Sequence, residues 1–251
     1  MYTKVKTETE QSNMRASGQM LASVLKLLAD KTGPGMTTKD AANLAAKELK
    51  SLGGEPAFLG YQDFPDVICV SINDEIVHGI PSSERELKAG DLVSYDFGVK
   101  YKGMITDAAL TKVVGDKAPS ADVKRLLKGT EQALYDGVDV LKNGVRVGDL
   151  SAAIEKTLKQ HSLGIVRELV GHGVGHNIHE EPNIPNYGSA GTGPTLKSGM
   201  TIAIEPMTML GKEDVGMYAD GWTVVTADHS LSAHFEHTVL ITDTGAEILT
   251  A

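Results

Sequence analysis

The chain has 251 residues, 41% of them hydrophobic, with a formal charge of −9 and a single cysteine, Cys69. That length and apolar content support a sizeable core. The acidic balance argues against a nucleic-acid-binding surface, and one cysteine excludes an intrachain disulfide, as fits a reducing compartment. No apolar run approaches the roughly 18 to 20 residues that cross a bilayer, and the opening MYTKVKTETEQSN has no apolar signal-peptide core, so a cytoplasmic protein with no membrane partner is expected.

From about Thr9 to Asp30, Met14, Leu21, Val24, Leu25 and Leu28 recur at helical intervals, and Gly33-Pro34-Gly35 stops the pattern. Thr37 and Asp40 form the spacing of a capping box that opens a second helix running to Gly53-Gly54. Val67 to Ile72 and Leu92 to Val99 are rich in β-branched residues between turn signals and read as strands. The order then repeats. Ser120 caps a helix towards Leu141, and another runs from about Asp149 to His161. Strands follow near Ile165 to Val170, Thr201 to Glu205, Trp222 to Thr226 and Phe235 to Thr242, with Gly188 to Gly193 as the most loop-like internal stretch.

The repetition extends to residues. Leu87 to Asp96 (LKAGDLVSYD) and Leu196 to Glu205 (LKSGMTIAIE) share Leu-Lys-x-Gly followed by a strand-like run that ends on a carboxylate. The same offset of 109 maps Gly35 onto Gly144, Asp40 onto Asp149, Leu49 onto Leu158 and Lys50 onto Lys159. One domain of two related halves, about 9–115 and 120–250, is expected, with acidic side chains gathered at the pseudo-twofold axis. Such a cluster is stable only when cations neutralise it.

Asp96 and Asp107 lie on strands joined by Lys100-Tyr101-Lys102-Gly103. A turn centred between Tyr101 and Lys102 places the two carboxylates opposite one another on one sheet face. In Gly171-His172-Gly173-Val174-Gly175-His176 the glycines oppose a helix, so this is no zincin motif despite the spacing of its histidines. Glycines instead let backbone approach a site into which imidazoles project. Glu205 closes a strand before Pro206, and Glu236 falls inside an apolar strand where an unpaired carboxylate is costly to bury. His234 shares the face of Glu236 and reads as a supporting or solvent-facing residue rather than a ligand, while His237 points the other way and packs. Asp96, Asp107, His172, Glu205 and Glu236 balance the charge of two divalent metal ions. Their donors suit Mn, Fe, Co or Zn, and two such ions sharing a water perform hydrolysis.

The chain from roughly Thr9 to Thr250 resembles type I methionine aminopeptidases, members of the pita-bread metallopeptidases. The motifs are Ser71-Ile72-Asn73 through His78-Gly79-Ile80-Pro81, Asp96-Phe97-Gly98, Thr106-Asp107, Gly171-His172-Gly173-Val174-Gly175, His179-Glu180-Glu181-Pro182, Ile204-Glu205-Pro206-Met207 and Ser232 through Glu236-His237-Thr238. The resemblance implies an α+β pita-bread fold: pseudo-twofold halves around a central curved antiparallel sheet with helices on its outer face. It implies Asp96 as a terminal ligand of one metal, Asp107 and Glu236 as bridging ligands, and His172 and Glu205 as ligands of the other, with Glu205 also shuttling the proton as a bridging hydroxide attacks the scissile carbonyl. His179 and His78 would assist at the substrate, and Phe58, Tyr61, Phe64, Cys69, Ile178 and Trp222 would line a methionine pocket.

The expected substrate is the N-terminus of a nascent polypeptide with a small second residue. The resemblance implies a monomer and admits transient ribosome contact. With no zinc-binding N-terminal extension or type II insertion in the sequence, a short bacterial form is expected. Three positions depart from the usual pattern: His176 where arginine is frequent, Ile178 where an aromatic is common, and His234 where glutamine is frequent. The alternatives are an Xaa-Pro aminopeptidase or dipeptidase with the same ligands, and a non-catalytic pita-bread binding protein.

Overall fold

The computed structural model describes residues 5–251. Among the described residues the four α-helices are α1 Glu8–Lys31, α2 Thr38–Leu52, α3 Ala121–Asp139 and α4 Val147–Gln160. The strands are β1 Glu55–Pro56, β2 Cys69–Ile72, β3 Glu75–Val77, β4 Leu92–Tyr101, β5 Met104–Val113, β6 Gly164–Ile165, β7 Gly171–Gly173, β8 Glu180–Ile184, β9 Thr201–Ile204, β10 Met207–Met209, β11 Val215–Met217, β12 Val224–Thr226, β13 Ser232–His234, β14 His237–Ile241 and β15 Ala246–Ile248. Local chemistry sets the helix ends. Thr7 with Glu10, and Thr37 with Asp40, form reciprocal capping boxes, Ser120 accepts the Val123 amide, and Gly53 in the left-handed region (φ 82°) terminates α2.

Two antiparallel sheets carry the centre of the molecule. In the first, β5 pairs along the whole of one edge of β4 while β2 and β1 share the other; the second runs β15-β14-β9-β7-β8. Helices α1 and α2 bury Leu21, Leu28 and Leu49 against Tyr95 and Phe97 of β4. Helices α3 and α4 bury Leu126, Leu150 and Ile154 against Ile202, Ile204 and Val239. The sheets meet where Ala109 of β5 bridges Glu236, in the gap between β13 and β14. The seam is antiparallel: the Glu236 amide donates to the Ala109 carbonyl (2.9 Å). On one side of it the Thr238 hydroxyl accepts the Asp107 amide (2.8 Å) and donates to the Asp107 carbonyl (2.7 Å). On the other, the Thr111 hydroxyl accepts the His234 amide (2.9 Å) and donates to the His234 carbonyl (2.8 Å).

The 109-residue offset holds at the level of hydrogen bonds. The Gly35 amide donates to the Leu87 carbonyl (3.0 Å) and the Gly144 amide to the Leu196 carbonyl (2.9 Å). The bridge Thr37 with Glu86 has its counterpart in Arg146 with Thr195. Asp40 accepts the Thr37 amide (2.8 Å) as Asp149 accepts that of Arg146 (3.0 Å).

Four sequence expectations change. Asp96 pairs with Ala109, and Asp107 with Gly98, so the two carboxylates are diagonal rather than opposite. The turn holds Lys102 (φ 47°) and Gly103 (φ 80°), both left-handed, which is the two-residue geometry that matches strand twist; centring the turn a residue earlier would leave Gly103 outside it. Asp96 is consequently inside a ten-residue strand rather than at its end. The strand expected over Ile165 to Val170 stops at Ile165, because the exposed Arg167 and Glu168 turn the chain outward. The run from Phe235 to Thr242 is broken, and Glu236 lies in the break rather than inside a strand.

Candidate metal centre and substrate pocket

Each carboxylate is placed by the hydrogen bonding of its backbone. Asp96 projects from the middle of β4, beside Cys69 on β2. Asp107 projects from the same face of β5, since a diagonal offset of two residues preserves the face. Glu236 is brought beside Asp107 by the seam. Glu205 follows the last residue of β9, where its carbonyl accepts from Asn186 Nδ2 (3.0 Å). His172 sits in β7, and its Nδ1 lies 3.0 Å from the Gly173 carbonyl. That contact makes Nδ1 the protonated nitrogen and leaves Nε2 with a free lone pair. Nε2 is 3.5 Å from Glu205 Oε1.

All five side chains line one cavity of about 140 Å³, together with Phe58, Tyr61, Phe64, Cys69, His78, Ile178, His179 and Trp222. Every residue anticipated from the sequence for ligand, catalytic or pocket roles therefore borders a single space. Gln62 also lines it and was not anticipated. A second cavity, of about 510 Å³, shares His172 and His179 as walls and is rimmed by Glu168, Glu180 and Glu181.

The cavity concentrates negative charge where water is scarce. Burial pushes Asp107 up to about 7. Burial, reinforced by Asp107, raises Asp96, and burial with the neighbouring carboxylates raises Glu205 and Glu236 well above the usual range. Burial also drives His172 down to about 3, so its ring is neutral. Asp107 Oδ1 and Glu236 Oε1 are buried without any hydrogen-bond partner. Ligand atoms of Asp107, His172 and Glu236 lie within 4.8 Å of one another. Orphaned oxygens and a neutral imidazole around one point fit a divalent cation, which would satisfy the acceptors and relieve the repulsion.

Around these five side chains, the pocket walls come from both halves. Phe64 and Trp222 meet edge to face at 5.2 Å, and Trp222 also faces His78. Phe58 lies over β4 because Gly98 has no side chain; a Cβ there would come within 2.7 Å of the Phe58 ring. The His179 ring packs against that of His172 at 4.3 Å. Its Nδ1 is 2.9 Å from the Tyr61 hydroxyl, which in turn accepts from Gln62 Nε2 (3.2 Å). Burial lowers the pKa of His179, and burial with the neighbouring His179 takes His78 down to about 4.

Several supports carried no signal in the sequence. Thr111 and Thr238 look like ordinary strand residues until the sheets meet. Lys6 is buried and pairs with Glu180 (3.0 Å), whose other oxygen accepts the amides of His176 and Asn177 and so fixes the loop that ends at His179. His176 reaches Glu10 of α1 (2.6 Å). His237 packs as expected, with Nδ1 2.9 Å from the Thr250 hydroxyl and its ring against Tyr135. The solvent-facing role considered for His234 does not hold, since it is 1% exposed.

The model of metallopeptidase family M24 matches residues 12–243. The chain is 46% identical over 245 residues to methionine aminopeptidase 1 of Bacillus subtilis, with 98% of each chain covered. It is 42% identical to the methionine aminopeptidase of Aquifex aeolicus, covering 100% of this chain and 99% of that one. Among solved structures, the methionine aminopeptidase of Thermotoga maritima aligns with a TM-score of 0.96 at 44% identity over 99% of both chains. The prolidase of Pyrococcus furiosus aligns with a TM-score of 0.78 at 26% identity, over 98% of this chain but 65% of its own. The architecture is the α+β pita-bread fold that these structures share.

Proposed function

The chain belongs to metallopeptidase family M24, among sequences of the bacterial methionine aminopeptidases, and from that premise we propose that it removes the initiator methionine from new polypeptides whose second residue is small. The observation that carries the reading is the joining, in one cavity, of Asp96, Asp107, His172, Glu205 and Glu236 with an apolar wall. Two divalent ions, held by those five residues, would supply Lewis acidity and a nucleophile made from water at neutral pH.

The chain's own residues do the rest. Phe58, Phe64, Ile178 and Trp222 surround an unbranched apolar side chain and reject a charged one, which would lose its hydration there. Tyr61 donates to His179 Nδ1, so that Nε2 carries the proton and donates to the scissile carbonyl oxygen as negative charge develops. Glu205, ionised when cations neutralise the carboxylates around it, would take a proton from the attacking water and pass it to the leaving amine. His78, on the opposite wall beside Trp222, contacts the peptide backbone. The downstream peptide leaves through the larger cavity that shares His172 and His179.

The test is release of free methionine from Met-Ala-Ser, against Xaa-Pro peptides, by chelator-stripped protein resupplied in turn with Mn, Co, Zn and, without oxygen, Fe(II). Metal-dependent cleavage confined to the methionine peptide is expected. Preference for Xaa-Pro would transfer the chain to prolidase-like specificity, and silence with every metal would make it a binding protein.

A further inference from the structure

Among the described residues, His234 is the only side chain with two buried polar atoms that lack any hydrogen-bond partner, Nδ1 and Nε2. It ends β13, and its backbone is held on both sides by the Thr111 hydroxyl, so the ring is aimed by the seam rather than by contacts of its own. A buried donor or acceptor left unpaired is costly, because it has lost its hydration with nothing in return. Something must satisfy them.

The distances identify what Nε2 meets. His234 Nε2 is 3.7 Å from Glu205 Oε2 and 3.9 Å from Glu236 Oε2. Both exceed the roughly 2.7–3.2 Å of an N–H···O hydrogen bond. They come close to a different spacing: two donors each about 2.1 Å from one cation at a tetrahedral angle stand about 3.4 Å apart. His172 Nε2 shows the same spacing, 3.5 Å, to the other oxygen of Glu205. Glu205 therefore lies between two imidazoles, one facing each of its oxygens.

We infer that His234 is a metal ligand, its Nε2 completing the centre held by His172 and Glu205 with a second imidazole. The inference rests on the proposal that these carboxylates and His172 hold metal. Two imidazoles make that centre more nitrogen-rich, which favours Zn and Co over Mn relative to a centre with one.

X-ray absorption of chelator-stripped protein given less than one equivalent of zinc counts imidazoles directly. Two per zinc are expected in the wild type and one in His234→Gln, with the preference for zinc over manganese in competition falling at least about tenfold. A count of one or none in the wild type overturns the inference, and so does a count that His234→Gln leaves unchanged. The wild-type count decides even if the variant does not fold. Failure of the wild type to take up zinc at all would instead remove the underlying metal-centre proposal.

Discussion

In the first half, the strand that follows Leu87-Lys88-Ala89-Gly90 runs through Asp96 and turns back at once through Lys102-Gly103. In the second, the equivalent strand after Leu196-Lys197-Ser198-Gly199 leaves the sheet at Glu205, and its hairpin partner begins only at His237. The 109-residue offset places Asp96 and Glu205 at matching positions, yet one is held inside a continuous hairpin and the other stands where the chain departs. The excursion between Glu205 and Glu236 supplies Trp222 and His234. The strands matched by the offset thus differ: the closed hairpin presents two carboxylates, while the opened one admits a pocket wall and a further imidazole without disturbing the paired strands.

The severest challenge to this contrast is removal of one carboxylate from each half. Asp96→Ala and Glu236→Ala are each expected to lower kcat/KM on a methionine peptide by on the order of 10³-fold or more. Full turnover by either variant in metal-replete buffer would mean that the two halves do not share one centre.

Charge provides the next test, because the cluster draws on both halves. Asp107 has a folded-state pKa of about 7, above its ordinary 3.8. In metal-stripped protein its contribution to stability is complete below about pH 4 and is lost as pH rises through 7. Urea unfolding should therefore show stripped protein weakening over that window, with added divalent metal restoring stability most at the upper end. Equal pH dependence with and without metal would separate the carboxylates from the metal.

Thr238→Val probes the seam between the halves. It deletes two buried hydrogen bonds and orphans the Asp107 amide, and a loss of about 2 kcal/mol in urea unfolding is expected. Thr238→Ser should recover most of it. A neutral Thr238→Val would show that the Ala109–Glu236 bridge and the Thr111–His234 pair hold the sheets together without it.

The smallest effect tests the duplication itself. Gly35 (φ 86°) and Gly144 (φ 92°) are both left-handed with open space where a Cβ would stand. Alanine at either should cost only the backbone penalty, about 1 kcal/mol, and the two costs should match. A difference well beyond that would break the equivalence of the turns.

Much of this was legible along the chain. The capping spacings at Thr37 and Ser120 and the stop at Gly53 located helices to within a few residues, since those signals act over a single turn. The five acidic and imidazole groups were also readable, because unpaired charge in apolar runs demands an explanation wherever it occurs. The diagonal pairing of Asp96 and Asp107 was not, as it hung on which residue absorbs positive φ in a four-residue turn. The break at Glu236 was hidden because Phe235 and His237 continue the strand-like composition on either side.

By itself, then, the sequence determined the helices, the 109-residue repeat and the identity of the charged residues, all of which follow from backbone and side-chain preferences within a few positions. The tertiary structure alone decided that Thr111 and Thr238 stitch two sheets together, that Asp107 and Glu236 become neighbours, and that His234 is buried between Glu205 and Glu236 without a partner. The sheet contacts join residues more than 100 positions apart, and His234 meets Glu205 only because the chain returns after its excursion; at such separations local preference is silent and the packing of one half against the other selects the register.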